Sequence, residues 1–146
     1  MTDDIRIQAE DFDPGAEIAA LNGAGAGAVA SFIGLVRGGD GLIAMTLEHY
    51  PAMTAREIET HVLQAKQRWP LLGVRVVHRV GRLTPGARIV FVGTASAHRQ
   101  AAFEAAEFLM DYLKTRAPFW KLEERERAAE WVEARAADDE SVKRWR

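Results

Sequence analysis

Apolar residues recur along this chain at two different spacings, and each spacing predicts a kind of element. Alternation with polar residues, and short apolar runs rich in Val, Ile, Phe and Thr, are typical of strands. These segments are separated by Gly- or Pro-containing turns or by helical stretches. The predicted strands cover residues 5–7, 29–37, 42–50, 74–80, 88–94, 119–123 and 131–135.

Three- and four-residue apolar spacing predicts three helices. Their ends carry the residues expected there: proline at a first position, a capping box, or proline just beyond the last turn. The end signals are Pro14 and Gly23 for the first helix, Thr54 with Glu57 and then Pro70 for the second, and Pro118 for the third. The third helix is the longest, with an apolar face from Ala102 to Leu113.

The order of these elements predicts one α+β domain over residues 1–146. Strands 29–37 and 42–50 flank a Gly-rich turn, RGGDG, which suggests a β-hairpin with a mobile tip. Strands 74–80 and 88–94 flank Thr84-Pro85-Gly86, which suggests a second hairpin. Residues 138–146 form a charged tail that we expect to order only against a partner.

Composition narrows the function. The chain has 146 residues, 48% of them hydrophobic and 27% charged, and a net charge of −2, so we predict neither nucleic-acid nor membrane binding. It contains no cysteine, which excludes disulfides and a thiol nucleophile. Its four histidines lack zinc-motif spacing, and we predict neither a metal nor a cofactor. The acidic N-terminus lacks a signal sequence, so we expect a cytoplasmic protein.

Candidate functional residues lie at the ends of the long helix and of one strand. His98 and Arg99 fall in the first helical turn, where free backbone N–H groups favour an anion. Lys114 lies near the other end, Lys121 follows two aromatic residues, and Arg37 precedes the Gly-rich turn. Each also has an ordinary explanation, such as a helix cap, a cation placed by the helix dipole, or a solvated surface side chain.

Four ordered blocks resemble one known family, the large, catalytic subunit of molybdopterin synthase. The blocks are SFIGLVRG, TLEHYPAMTAREI, HRVGRLTPGARIVFVGTASAHRQAAFEAAEFLMDYLKTRAPFWK and WVEAR. The resemblance implies an α/β-hammerhead type fold with antiparallel sheets. It also implies a sulfurtransferase that converts cyclic pyranopterin monophosphate to the molybdopterin dithiolene. Sulfur would arrive as a thiocarboxylate on the C-terminal Gly-Gly of a small ubiquitin-like carrier subunit, which suits a chain without cysteine.

The same resemblance assigns roles to individual residues. Lys114 in DYLKTR and Lys121 in FWK match the family's active-site lysines. Arg37, His98 and Arg99 match positions that bind the pterin and its phosphate, and Arg135 in WVEAR matches an arginine of the same pocket. Two departures stand out. Leu35 replaces the lysine of the GKVR pattern found in many members, and the RGGDG turn is a few residues short.

Helix geometry adds a prediction about assembly. From His98 to Lys114 is sixteen residues, or roughly 24 Å along a helix, which one small substrate cannot span. If both ends serve one pocket, two copies of the chain must share it, so we predict a homodimer that two carriers extend to a heterotetramer. The alternatives are a noncatalytic module that binds a ubiquitin-like tail or a phosphorylated ligand, and a Schiff-base enzyme that uses Lys121.

Overall fold

The computed structural model describes residues 3–23, 25–125, 129–132 and 136–145. Within these ranges the chain forms eight strands and four helices, which confirms the α+β prediction. No helix among the described residues is long and apolar enough to span a bilayer. The elements are β1 Asp4–Gln8, α1 Pro14–Ala19, β2 Ala28–Leu35, β3 Leu42–His49, α2 Pro51–Arg68, β4 Leu71–Arg79, β5 Gly81–Leu83, β6 Arg88–Ser96, α3 Arg99–Thr115, β7 Phe119–Arg125, β8 Ala129–Val132 and α4 Ala136–Lys143.

The strands form two four-stranded sheets. The first has the order β1-β4-β6-β2 and the second the order β5-β3-β7-β8. All pairs are antiparallel except β1 with β4, so the predicted antiparallel sheets are confirmed with one parallel pair at an edge. The predicted second hairpin is also confirmed, since β4 pairs with β6 and Val76 lies opposite Val92.

The predicted first hairpin is wrong. Strand β2 pairs with β6 in the first sheet, whereas β3 pairs with β5 and β7 in the second. The Gly-rich segment between them therefore carries the chain from one sheet to the other. It does so through three successive residues with positive φ, Gly39 at 115°, Asp40 at 51° and Gly41 at 74°, a conformation that glycine adopts at low cost.

The predicted start of the second helix is also wrong. Helix α2 begins at Pro51 with Tyr50 as N-cap, so Thr54 lies inside the helix and is not its cap. Pro51 has the fixed φ that suits a first helical position. Thr54 is fully buried, and its hydroxyl donates to the carbonyl oxygen of Pro118 at 3.2 Å. This bond ties α2 to the segment that follows α3.

The main core lies between the first sheet and helices α2 and α3. Ile58 of α2 and Phe108 of α3 are at most 1% exposed, and they belong to one cluster with Val74, Val76 and Val92 of the sheet. Helix α3 buries most of the apolar face that its sequence predicted, but Phe103, which the spacing placed on that face, is 65% exposed. Its two ends stay at the surface, with Arg99 as the first residue and Lys114 in the last turn.

The C-terminal tail is ordered within the single chain, without a partner, contrary to expectation. It forms α4, and Val142 of this helix is fully buried. The Trp145 indole donates to the Asp111 carboxylate, and its ring meets Trp69 and Phe108 edge-on. Two aromatic contacts and a charge-assisted hydrogen bond are sufficient to hold the tail against α3 within one chain.

Candidate active site

A cavity of about 470 Å³ opens where the two sheets meet the C-terminal end of α3. Its walls come from β3, β4, β6, β7, α3, residues 34–40 and Asp138 of α4. Apolar side chains such as Met110 and Leu113 line one part, and charged side chains line another. This size and mixture suit a small polar ligand held in a fixed orientation. We call it the basic cavity, because Arg37, Lys114 and Lys121 all line it.

The two predicted lysines reach the basic cavity from different elements. Lys114 lies in the last turn of α3 and is exposed, whereas Lys121 lies on β7, opposite Leu47 of β3, and is partly buried. Between them the chain reverses, and the N–H of Phe119 donates to the Ala117 carbonyl oxygen at 2.9 Å. The reversal brings together two amines seven residues apart in sequence.

Arg37 enters the basic cavity from the segment that connects the sheets. Backbone bonds fix this segment next to the β5–β6 turn: the Val36 N–H donates to the Ala87 carbonyl oxygen at 2.9 Å, and the Val36 carbonyl oxygen accepts from the Gly86 N–H at 2.8 Å. The Arg125 guanidinium donates to the carbonyl oxygen of Asp40 at 2.8 Å. The Gly-rich segment is therefore anchored at both of its ends.

His98 and Arg99 lie at the opposite end of α3. His98 is the N-cap, Arg99 is the first helical residue, and both side chains are exposed. The described lining of the basic cavity includes neither of them. With about 1.5 Å of rise per residue, most of the length of α3 separates them from Lys114. Arg135, the remaining predicted substrate-binding residue, lies outside the described residues.

His78 is a cavity residue that the sequence reasoning missed. It is 8% exposed, lies near the end of β4, and lines the basic cavity with both lysines. Its Nδ1 lies 2.9 Å from the carbonyl oxygen of Arg79. The pKa of His78 is lowered to about 4, mainly by burial and to a smaller extent by the nearby charges of Lys114 and Lys121, while the bond to Arg79 only partly opposes them. The imidazole is therefore neutral at pH 7.

Carboxylates also reach the basic cavity. Glu123 is 19% exposed at its side chain and pairs with Arg125 at 2.6 Å. Asp138 of α4 contributes a second acid to the lining. Asp40 is the third, so three acids partly offset four basic side chains, Arg37, Lys114, Lys121 and Arg125, and the cavity favours an anion without being positive throughout. No three His, Asp or Glu side chains in the described ranges converge as metal ligands do.

Comparison with known families and structures complements this geometry. The family model described as MoaE protein matches residues 7–116. The chain belongs to this family. The matched residues include Arg37, His98, Arg99 and Lys114 and end five residues before Lys121.

Individual MoaE relatives extend the match to nearly the whole chain. The molybdopterin synthase catalytic subunit of Pseudomonas aeruginosa is 53% identical over 97% of this chain and 97% of its own length. A solved molybdopterin biosynthesis MoaE protein from Burkholderia ambifaria is 50% identical, with a TM-score of 0.85 over 99% of this chain and 98% of its own.

A more distant solved structure, a protein–protein complex of subunits 1 and 2 of molybdopterin-converting factor from Helicobacter pylori, shares the fold. It is 21% identical, with a TM-score of 0.74 over 90% of this chain and 91% of its own.

Proposed function

We propose that this chain is the catalytic subunit of a molybdopterin synthase, acting in the cytoplasm. It transfers sulfur from the thiocarboxylated C-terminus of a small ubiquitin-like carrier to cyclic pyranopterin monophosphate. The observation that carries the proposal is the basic cavity, which combines two lysines and two arginines in a chain without cysteine. The identity to catalytic subunits over almost the whole chain supports it.

The residues of the basic cavity suit the steps of this reaction. An extended carrier tail would lie along the apolar lining, with its terminal thiocarboxylate beside Lys114, which polarises the thiocarboxylate or the acyl group formed from it. Lys121 assists proton transfer as the cyclic phosphate opens and sulfur adds to the pterin. Arg37 binds the substrate phosphate, for which a guanidinium has matching geometry. This division of work between the lysines is part of the proposal.

The assembly we propose is a homodimer flanked by two carriers, which makes a heterotetramer. Its support is the placement of His98 and Arg99 at the far end of α3 from Lys114. If all three residues contact one substrate, His98 and Arg99 come from the neighbouring copy. The H. pylori complex of two subunits, which has this fold, is consistent with a second kind of subunit.

A reconstituted assay tests the chemistry. Lys114→Ala and Lys121→Ala should each reduce molybdopterin formation from thiocarboxylated carrier and precursor by about 100-fold or more. Lys143→Ala is the matched control, because Lys143 is an exposed lysine of α4 that pairs with Glu140. Wild-type turnover in both cavity variants would refute the assignment. Carrier binding without any product would favour a noncatalytic binding module instead.

A mixing experiment tests the shared site. Arg99→Ala and Lys114→Ala chains are each expected to be inactive alone. Heterodimers of the two contain one intact pocket if the pockets are shared, so mixing should restore up to about a quarter to a half of the wild-type activity. If mixing restores nothing, each chain contains its own complete pocket, and the dimer proposal loses its support.

A further inference from the structure

His78 links the two sheets at the basic cavity. It belongs to β4 of the first sheet, and its ring stacks on Phe119 of the second sheet with a centroid distance of 3.8 Å and an interplanar angle of 16°. Phe119 also faces His49 of β3 at 6.2 Å. A single aromatic side chain at the first position of β7 thus lies between two imidazoles, one from each sheet.

The hydrogen bond of His78 fixes the state of its ring. A carbonyl oxygen can only accept, so the Nδ1 that lies 2.9 Å from the Arg79 oxygen carries the proton. In a neutral ring Nε2 is then an acceptor without a proton. The ring is thereby held in one tautomer and one orientation while it lines the basic cavity.

The position of Phe119 connects this stack to Lys121. Successive side chains of a strand alternate between its faces, so residues 119 and 121 of β7 project to the same side. Both line the basic cavity, together with His78. Whatever fixes Phe119 at the start of β7 therefore also fixes where Lys121 enters the cavity.

Charged groups approach His78 from several elements. The titratable and charged groups that line the cavity with His78 or act on its charge are Lys114 on α3, Lys121, Glu123 and Arg125 on β7, His49 on β3, Arg37 and Asp40 on the connecting segment, and Asp138 on α4. Burial disfavours a positive charge on the imidazole most strongly, and the nearby Lys114 and Lys121 disfavour it further. A protonated ring at this place would repel both lysines, whereas a neutral ring lets them approach.

We propose that His78 is a positioning residue of this site: its uncharged ring, stacked on Phe119, fixes the start of β7 and holds Lys121 in the cavity that Lys114 shares. This proposal rests on the function proposed above for the cavity. His78 acts through Phe119, and the reacting atoms stay with the lysines.

Kinetics of two variants test this role. His78→Phe keeps an uncharged ring that can stack, and we expect a kcat within about threefold of wild type. His78→Ala removes the stack, and a displacement of Lys121 by about 1 Å should lower kcat by about 100-fold while the KM for the pterin precursor changes by less than about threefold. The proposal is overturned if both variants keep wild-type kcat or if His78→Phe loses as much as His78→Ala.

The control variant is Val76→Ala. Val76 lies two residues before His78 on the same strand face and is fully buried, but it belongs to the main core and lies outside the described lining of the basic cavity. Val76→Ala should lower stability and leave kcat within about twofold of wild type. An equal loss of kcat in Val76→Ala and His78→Ala would mean that any loosening of β4 has this effect, which contradicts a specific role of the ring.

The tautomer gives a test that needs no turnover. Long-range ¹H–¹⁵N spectra of the wild-type chain should show His78 as the neutral form with a proton on Nδ1 from pH 7 down to about pH 5. A proton on Nε2, or a titration midpoint near the ordinary pKa of 6.5, overturns the proposal. A wild-type chain that shows this tautomer but makes no product with carrier refutes the proposed function and leaves the placement of the ring intact.

Discussion

The depressed pKa of His78 makes the stability of this fold depend on pH in a defined window. The group has an ordinary value of 6.5 and a folded-state value of about 4, because burial and neighbouring cations disfavour the charged ring. Above pH 6.5 the ring is neutral in both the folded and the unfolded state, so its titration does not lower the free energy of unfolding. Between pH 6.5 and 4 His78 binds a proton in the unfolded chain but not in the folded chain, so the free energy of unfolding falls as the pH falls.

The magnitude follows from the same two values. The complete difference of about 2.5 in pKa corresponds to about 3 kcal/mol, at about 1.4 kcal/mol per unit. At pH 5 most of the window has been crossed, and the loss relative to pH 7.5 is about 2 kcal/mol. Other groups also titrate over this range, so the quantity to measure is the difference between the wild type and a variant without the imidazole.

Urea unfolding at several pH values between 7.5 and 5 measures this difference. The free energy of unfolding of wild type should fall by about 2 kcal/mol more than that of His78→Phe, whose ring does not titrate. Parallel curves for wild type and His78→Phe would refute the reasoning, since they would mean that the folded chain accepts the proton as readily as the unfolded one.

Three further predictions concern contacts that hold the fold together, each measured as a free energy of unfolding in urea. Thr54→Val should cost about 1 kcal/mol by removing the hydroxyl bonded to Pro118, and no loss would show the bond to be neutral. Gly27→Ala should cost about 3 kcal/mol, because its Cβ would lie 2.1 Å from the Ala97 carbonyl oxygen; a stable variant would contradict this close approach. Trp145→Ala should cost about 2 kcal/mol, whereas a value near zero would mean that the tail is not held.

Most of the elements were predictable from local pattern, although the short strand β5 and helix α4 were not. Helix α3 combines an apolar face with Pro118 three residues beyond its last residue, Thr115, and both signals lie within one short window of sequence. Strands β4 and β6 are rich in β-branched residues and are close in the sequence. Their proximity therefore predicted that they pair. Where the contacts that stabilise an element lie close together in the sequence, a short window of residues is enough to predict that element.

The pairing of β2 was not predictable in this way. Alternation shows which face of a strand is buried but carries no information about its partner. The Gly-rich turn after β2 is equally compatible with a hairpin and with a crossing between sheets. The chain crosses between the sheets because β2 pairs with the edge of β6 that β4 leaves open. This pairing runs from Ala28 opposite Ser96 to Leu35 opposite Arg88.

Thr54 shows a similar competition between local and distant partners. Its spacing to Glu57 suits a capping box, but Pro51 starts the helix one turn earlier. The hydroxyl is then available to Pro118, which lies 64 residues away in sequence. Because that partner appears only after α3 has folded back, a window of sequence around Thr54 could not indicate it.

The residues of the candidate site likewise include some that the sequence indicated and one that depends on a distant contact. The lysines and Arg37 were found because they lie in motifs that resemble those of a family, and the structure places all three at one cavity. His78 lies in an apolar strand, where a single polar residue at a buried-face position is a weak signal. Its significance depends on Phe119, which reaches it from the other sheet.

Stability and site geometry meet at the chain reversal between α3 and β7. The Thr54 hydroxyl holds Pro118, and the His78 ring holds Phe119, so adjacent residues are fixed from α2 on one side and from β4 on the other. Lys114 precedes this reversal and Lys121 follows it. The distance between the two amines therefore stays constant only if the reversal is rigid, and these two side-chain contacts, which involve neither lysine, add to the backbone bonds that stiffen it. Loss of either contact should lower kcat by a larger factor than the loss in free energy of unfolding would explain. A small shift of one amine disturbs the reaction more than it disturbs the fold.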